Sequence, residues 1–372
     1  SGFLPAGIRS GTDHFNVPER GITMFKLALI GCGGIGTYHL DHFMQMDDVE
    51  MVAFCDILLE RAQAFAAKSG GGQSFSDVRA MYAAVRPDAV FICIPPYCHG
   101  EVERETIARG IPFFVEKPLA LDMALAEEIA AAVEAKGLIT AAGFQCRYDN
   151  INEAALRFTR ENDIIVVDGG RVGGIPDTPW WNKRPLSGGQ LVEQTIHQVD
   201  MLRYLLGEVA SVYSVAGRGF VTDAESPGYD TDDVSLSILR FQSGVLCHLM
   251  TGCYSKNGAS WDSKMSFGTR SSRMEYRLCV DVAVYGLAAK DRAEAVEGVV
   301  AGDGTQRRSE NEIGLRTRSD VDFGMLCDRT FIEAVQRGDG SAIRSPYRDA
   351  MRSVAVTLAC NRSMETGLPV NL

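Results

Sequence analysis

Three ionisable side chains fall at helical spacing near the middle of the chain. Glu193, His197 and Asp200 occupy positions i, i+4 and i+7, which places them on one face of a helix. Apolar residues fill the same segment at Leu191, Val192, Ile196, Val199, Leu202, Leu205 and Leu206, so the spacing predicts a helix over 189–206. A carboxylate–imidazole–carboxylate stripe beside a core is costly unless each group is paired. It is therefore an internal network or a working site, and a working site of this kind binds hydroxyls and moves protons. The glycine-rich segment before the stripe carries Trp180, Trp181, Lys183 and Arg184, which favours the working site. The two tryptophans are suited to stack on a sugar ring or to plug an interface between domains.

A second constellation lies far upstream. Gly31-Cys32-Gly33-Gly34-Ile35-Gly36 reads G-x-G-x-x-G between an apolar strand and an amphipathic helix. In such a turn Gly31 permits the sharp bend, Gly33 admits a pyrophosphate to the backbone and Gly36 lets helix and strand pack closely. The N–H groups that open the helix, from Gly34 and Ile35 onward, then face the anion. Asp56 ends the next apolar run, twenty residues beyond Gly36. A carboxylate there accepts hydrogen bonds from the adenosine ribose hydroxyls and repels a 2′-phosphate. No arginine follows it immediately, where Ile57 and Leu58 stand, so the pattern predicts NAD, preferred over NADP.

The elements that must hold these residues differ between the two parts of the chain. Apolar runs at 26–30, 50–55, 88–94, 112–115 and 138–142 alternate with helical periodicity, which predicts βαβ units and a parallel sheet. Asp122 and Gly137 bracket one helix as N-cap and C-terminal stop. Beyond Gly207, strand patterns appear at 209–218, 233–241, 245–251, 264–268 and 272–279, predicting a largely antiparallel sheet. The polar stretch 302–320 reads as an exposed loop, and 331–337 and 346–364 as helices returning to the first domain. The expected fold is thus an α/β N-terminal Rossmann domain with a parallel sheet, plus an α+β C-terminal domain with a large, mostly antiparallel open sheet. Boundaries are expected at 1–23 for a tag or N-terminal extension, with Met24 as a candidate start. The NAD-binding domain then spans 24–145, a substrate and oligomerisation domain 146–345, and a terminal helix and tail 346–372.

Composition narrows the partners. The 372 residues carry a net charge of −11, which argues against a nucleic-acid backbone or an anionic membrane surface as partner. No apolar run is long enough to span a bilayer. Ten cysteines without a C-x-x-C pair, several inside apolar runs at Cys55, Cys93 and Cys279, fit free thiols in a reducing cytoplasmic compartment. No metal role is expected.

Further segments carry a family resemblance. Ile94-Pro95-Pro96-Tyr97-Cys98-His99 is similar to a T-P-N-x-x-H turn, and Glu116-Lys117-Pro118 matches E-K-P. The run from Gly188 to Asp200 is similar to G-G-x-L-x-D-x-G-x-H-x-x-D, and 363–370 to S-x-x-x-G-x-x-V. Together they resemble the glucose–fructose oxidoreductase, inositol dehydrogenase and rhizopine-catabolism oxidoreductases (Gfo/Idh/MocA). The chain departs from that pattern at Glu193, where the family has aspartate, at Thr195, where it has glycine, and at Pro96, where it has asparagine.

The resemblance implies an NAD(H)-dependent oxidoreductase acting on a secondary alcohol or ketone of a sugar, inositol or related polyol. It implies that Lys117, at the carboxyl end of a parallel strand, is the main acid/base. His197 shares the proton work, and Glu193 binds a neighbouring hydroxyl or orients His197. A partly desolvated lysine beside a cationic nicotinamide gives up its proton more readily and can take one from a hydroxyl. Ile94, Pro95, His99, Glu116 and Lys117 are the further cofactor contacts, although His99 equally suits a helix cap. Arg147, in a segment similar to the family's G-F-x-x-R, is a substrate contact or a junction salt bridge, and Tyr148 lies beside it. His39 and His42 read as structural or exposed. The aromatic pair and the lack of a dominant cationic pocket suit a neutral polyhydroxy substrate. An uncovered sheet face implies a homodimer or homotetramer. Two alternatives stand: a redox-neutral enzyme that cleaves glycosides or eliminates through transient oxidation, and a non-catalytic NAD-binding sensor.

Overall fold

The computed structural model describes residues 24–286 and 313–372. The expected N-terminal extension, and residues 302–312 of the expected loop, lie outside the described residues. The first sheet is built from β1 (Phe25–Ile30), β2 (Val49–Cys55), β3 (Gln73–Phe75), β4 (Ala89–Ile92), β5 (Phe113–Val115) and β6 (Thr140–Ala142). Their order is β3-β2-β1-β4-β5-β6, and every pairing is parallel. The order reverses between β1 and β4, which is the crevice where doubly wound sheets receive their ligands. Leu27, Ala28, Leu29 and all of β4 are buried, as continuous apolar strands covered on both faces must be. Helices α1 (Gly34–Phe43), α2 (Leu59–Ser69), α3 (Val78–Ala84), α4 (Glu101–Ala108) and α5 (Met123–Lys136) make the crossovers. As expected, the Asp122 carboxylate accepts the N–H groups of Ala124 and Leu125, and Gly137 stops α5 at φ +61°.

The second unit begins with α6 (Ile151–Glu161) and β7 (Val166–Val172), followed by α7 (Arg184–Ser187), α8 (Gln190–Glu193) and α9 (Ile196–Leu206). Strands β8 (Val209–Gly217), β9 (Val234–Phe241), β10 (Leu246–Gly252), β11 (Trp261–Gly268), β12 (Arg273–Arg277), β13 (Asp281–Tyr285) and β14 (Ile313–Arg318) come next. The chain ends with α10 (Phe323–Arg337), α11 (Tyr347–Thr366) and β15 (Val370–Asn371). The sheet order is β14-β13-β12-β11-β7-β10-β9-β8-β15. All pairs are antiparallel except β7 with β10. One face packs on α6, α9 and α11 through Phe158, Leu202, Leu239, Phe267 and Val356. The other leaves Tyr213, Val215, Leu236, Ile238 and Leu246 exposed.

Helices α10 and α11 hold the two sheets together. Phe331 of α10 meets Phe91 and Phe114 edge-on, at ring distances of 5.5 and 5.9 Å. In α11, Tyr347, Ala350 and Val354 enter the Rossmann core, while Val356 and Cys360 enter the core of the second sheet.

The fold class expected from the sequence is the one observed, with local corrections. β7 and the short strands β3, β13 and β15 had no predicted counterpart. β7 reads Val-Val-Asp-Gly-Gly-Arg-Val, and glycine is poor strand material. Here Gly169 serves close packing, since a Cβ on it would lie 3.2 Å from both Leu249 and Met265. The expected loop is in part β14. The expected helix over 189–206 is two helices broken at Gln194-Thr195. In that break the Thr195 N–H reaches back five residues to the Gln190 carbonyl, a single π-type turn.

Gly31 shows how tightly the first turn is set. It sits at φ +95°, and a Cβ there would lie 2.1 Å from the Cys93 carbonyl oxygen. Gly31→Ala is expected to lower unfolding stability by about 1–3 kcal/mol from backbone strain alone, with the clash added to it. Urea unfolding measures this, and an unshifted midpoint would contradict the close approach.

Candidate active site

The dinucleotide turn is cut to a backbone-only shape. A Cβ on Gly36 would strike the Gly31 carbonyl at 2.2 Å, whereas a Cβ on Gly33 would meet nothing within 4 Å. Open space therefore stands in front of Gly33, and α1 starts there without a side-chain cap. The first N–H groups of α1, through Gly34, Ile35 and Gly36, are left for an outside acceptor. The Asp56 carboxylate stands beside the turn, accepting the Cys32 N–H at 2.8 Å and the Leu58 N–H at 2.9 Å. These features fit a dinucleotide. Ile94 and Pro95 follow β4 at the adjacent strand end and complete this rim.

Lys117 follows β5 at the same edge of the sheet, and its peptide bond to Pro118 is cis. Its Nζ donates to the Glu193 carbonyl at 3.0 Å and to Glu193 Oε1 at 3.1 Å. Glu193 Oε2 accepts the Trp181 indole N–H at 2.7 Å and the Gln194 amide at 2.5 Å. Burial alone would raise the Glu193 carboxyl, but Lys117 and then the Trp181 and Gln194 bonds outweigh it and hold it below its ordinary value. Gly188 and Gly189, at φ +79° and +91°, swing the chain into α8, and Asn361 of α11 fixes the loop by donating to the Gly188 carbonyl at 2.7 Å.

His197 opens α9 on the far side of the break. Burial, then the Lys117 charge, then Arg171 push its pKa down to about 3, so the ring is neutral at pH 7. Its Nδ1 is enclosed and has no hydrogen-bond partner among the described residues. Trp180 is half-buried and meets Tyr97 edge-on at 6.4 Å.

Several expected site residues are placed elsewhere. Asp200 leaves the stripe. Both its oxygens take the Arg147 guanidinium, at 2.7 and 2.8 Å, and Arg147 also pairs with Asp349 at 2.6 Å. Arg147 is thus a buried junction ion pair and does not line the cleft. Trp181 is 1% exposed, so it orients Glu193 and offers no stacking face. His99 is buried with Nδ1 on Glu103 at 2.6 Å, and Glu103 also takes the Gly100 N–H, which is the helix-cap arrangement.

Glu116 does not face the crevice. It accepts the Lys117 N–H at 3.1 Å and contacts His39 Nε2 at 3.0 Å, against Gly143, where a Cβ would strike the carboxylate. His39 Nδ1 continues to Asp328 of α10 at 2.9 Å, and Asp328 takes His42 Nδ1 at 2.6 Å. The donor atoms of His39, His42 and Asp328 lie within 4.8 Å of one another, and their mutual contacts account for the cluster. The two histidines are therefore structural and buried. Sequence reading overlooked Arg171, whose strand had no predicted counterpart. It donates to Gln194 Oε1 at 3.2 Å and to Cys253 Sγ at 3.5 Å.

The parallel sheet with its glycine cradle, and the lysine–carboxylate–imidazole set facing it, define the class: an oxidoreductase on a Rossmann fold. The chain belongs to the Gfo/Idh/MocA oxidoreductase family. Residues 25–144 match its NAD-binding Rossmann-fold model, and 163–272 match its C-terminal domain. The chain is 29% identical over 228 residues to a myo-inositol 2-dehydrogenase of Thermotoga maritima, covering 59% of this chain and 66% of that enzyme, just under two thirds of its length. It is 30% identical over 245 residues to the D-glucoside 3-dehydrogenase of Escherichia coli, covering 61% and 69%. An NAD-binding oxidoreductase structure from Klebsiella pneumoniae superposes with a TM-score of 0.76 at 20% identity, covering 94% of this chain and 99% of that one. No helix among the described residues is long and apolar enough to cross a membrane.

The Glu116–His39–Asp328 chain carries a pH signature. Burial pushes the His39 pKa down, but Asp328 and then Glu116 outweigh it and raise it from 6.5 to about 10. Native His39 keeps a proton that the unfolded chain gives up, so its stabilisation is whole below pH 6.5 and is lost as pH rises to about 10. The unfolding free energy of the wild type is expected to fall more steeply over that window than that of His39→Gln. Parallel slopes in denaturant titrations would contradict a charged His39.

Proposed function

We propose that this protein is an NAD(H)-dependent dehydrogenase or reductase of a secondary alcohol on a sugar, inositol or related polyol. The observation that carries the reading is Lys117 held by Glu193 beside a neutral His197 with an unsatisfied Nδ1, at the sheet edge that also bears the glycine cradle. The relatives named as myo-inositol and D-glucoside dehydrogenases support the substrate class. NAD(H), when bound, supplies the hydride exchange. Lys117 exchanges the hydroxyl proton. His197 hydrogen-bonds the same oxygen through a neutral ring. Glu193 keeps the ammonium in place, and Trp181 and Gln194 keep Glu193 in place. Trp180 with Tyr97 forms the aromatic wall. Asp56 favours NAD over NADP, because a 2′-phosphate would meet its carboxylate.

Titration with NAD+ and NADP+ followed by a polyol screen at the reduced-cofactor absorbance tests the reading. NAD+ is expected to bind more tightly. Lys117→Ala is expected to lower kcat by about 10²–10⁴-fold while NAD+ still binds. Full turnover by Lys117→Ala would remove the lysine from the chemistry.

We also read the uncovered face of the second sheet as a contact between copies of this chain. In register, Tyr213 opposes Ile238 and Val215 opposes Leu236, so the exposed residues form one apolar patch of the kind that marks association surfaces. Light scattering is expected to give a homodimer or homotetramer, weakened by Ile238→Lys. A monomer at micromolar concentration would contradict this.

A further inference from the structure

We propose that the substrate of this site carries a carboxylate and that Arg171 receives it, making the ligand a sugar acid. The inference rests on the dehydrogenase reading above and names the substrate class for it.

Arg171 is the penultimate residue of β7, and its guanidinium lies against Gly173 and reaches Gln194 at the break between α8 and α9. Both of its hydrogen-bond partners among the described residues are neutral: the Gln194 amide oxygen at 3.2 Å and the Cys253 sulfur at 3.5 Å. Among the described residues no carboxylate lies within ion-pair distance of it. The other arginines around these helices differ. Arg147 has Asp200 and Asp349, Arg184 has Asp232 and Glu365, and Arg203 has Glu208 and Asp349. Glu193, on the other side of Gln194, is already taken by Lys117 at 3.1 Å. Gln194 stands between Glu193 and Arg171, one end on each, and an amide there adds no charge. Lys117 thus has its carboxylate in Glu193, whereas Arg171, close enough to lower the pKa of the neutral His197, has none within ion-pair distance among the described residues.

A partly buried cation without a counter-ion is costly. Keeping one at a ligand cleft makes sense when the partner arrives with the ligand. A planar guanidinium offers paired N–H groups that match a carboxylate. A single guanidinium supplies one charge, which suits a monoanion better than a dianionic phosphate ester. The neutral polyol expected from the sequence is thereby refined to a polyol acid.

The test is kinetic, with NAD+ present. D-glucuronate and D-gluconate are compared with D-glucose and myo-inositol, with glucose 6-phosphate as a separate arm. The wild type is expected to favour the sugar acids in kcat/KM by about 10–100-fold. In Arg171→Gln the preference is expected to collapse, chiefly through KM for the acid. Arg171→Lys is expected to restore part of it, and circular dichroism and NAD+ titration check that both variants fold. Preference for neutral polyols, or an acid preference that survives in Arg171→Gln, would overturn the proposal. Preference for glucose 6-phosphate over every carboxylate would overturn it in favour of a phosphate. If no substrate of either class turns over, the dehydrogenase reading fails. Calorimetry of D-glucuronate on the NAD+ complex then decides the Arg171 inference separately: binding lost in Arg171→Gln sustains it, and no binding to the wild type ends it.

Discussion

The contact between Lys117 and Glu193 is the constraint on which the rest of the structure turns. The ammonium belongs to the loop after β5 and the carboxylate to the end of α8. The pair closes only if two separately built sheets are held in a fixed relation. Lys117 bonds both the carboxylate and the backbone carbonyl of Glu193, so it reads the direction of α8 as well as the position of one side chain. A shift of an ångström between the domains would break both bonds, and errors of that size in the placement of reacting groups are costly in rate.

Two bodies of structure resist that shift. Behind Lys117, Glu116 is gripped by its own backbone neighbour, by His39 of α1 and, through His39, by Asp328 of α10. Behind Glu193, Asp200 of α9 takes Arg147 and the Ser353 hydroxyl of α11, which ties the helix pair to the junction. Helix α11 belongs to both cores at once. The polar ties alone would be worth little in water, but they are buried, and burying one partner without the other is strongly unfavourable. The domains therefore have few low-energy ways to separate.

The fold was legible because burial writes period and punctuation into a chain. Continuous apolar strands, Asp122 and Gly137 around a helix, and glycines 31, 33 and 36 all serve local physics that a one-dimensional reading captures. The stripe at 193, 197 and 200 was legible as residue types and was misread as geometry. An ideal helix projects all three together, whereas the π-type turn at Thr195 sends Asp200 toward Arg147 and leaves Glu193 with Lys117. Trp181 was legible as an aromatic near the site, but only its buried indole N–H on Glu193 distinguishes an orienting residue from a stacking surface. Arg171 left no local trace. Its strand is interrupted by two glycines, and its importance lies in partners it lacks, which spacing cannot reveal.

The charges at the site also explain one another. Burial, and then the charges of Lys117 and Arg171, keep the His197 ring neutral far below physiological pH. A neutral imidazole can either donate to or accept from a hydroxyl oxygen, whereas an imidazolium only donates. Of these two cations Glu193 answers Lys117, and Arg171 has no carboxylate within ion-pair distance among the described residues. Replacing Gln194 by an acid would balance the charge within the protein, yet it would also pull the His197 pKa upward and compete with Glu193 for Lys117. The amide at Gln194 therefore keeps two requirements compatible: a neutral hydrogen-bonding ring next to the reacting oxygen, and a guanidinium with room for a charge brought from outside.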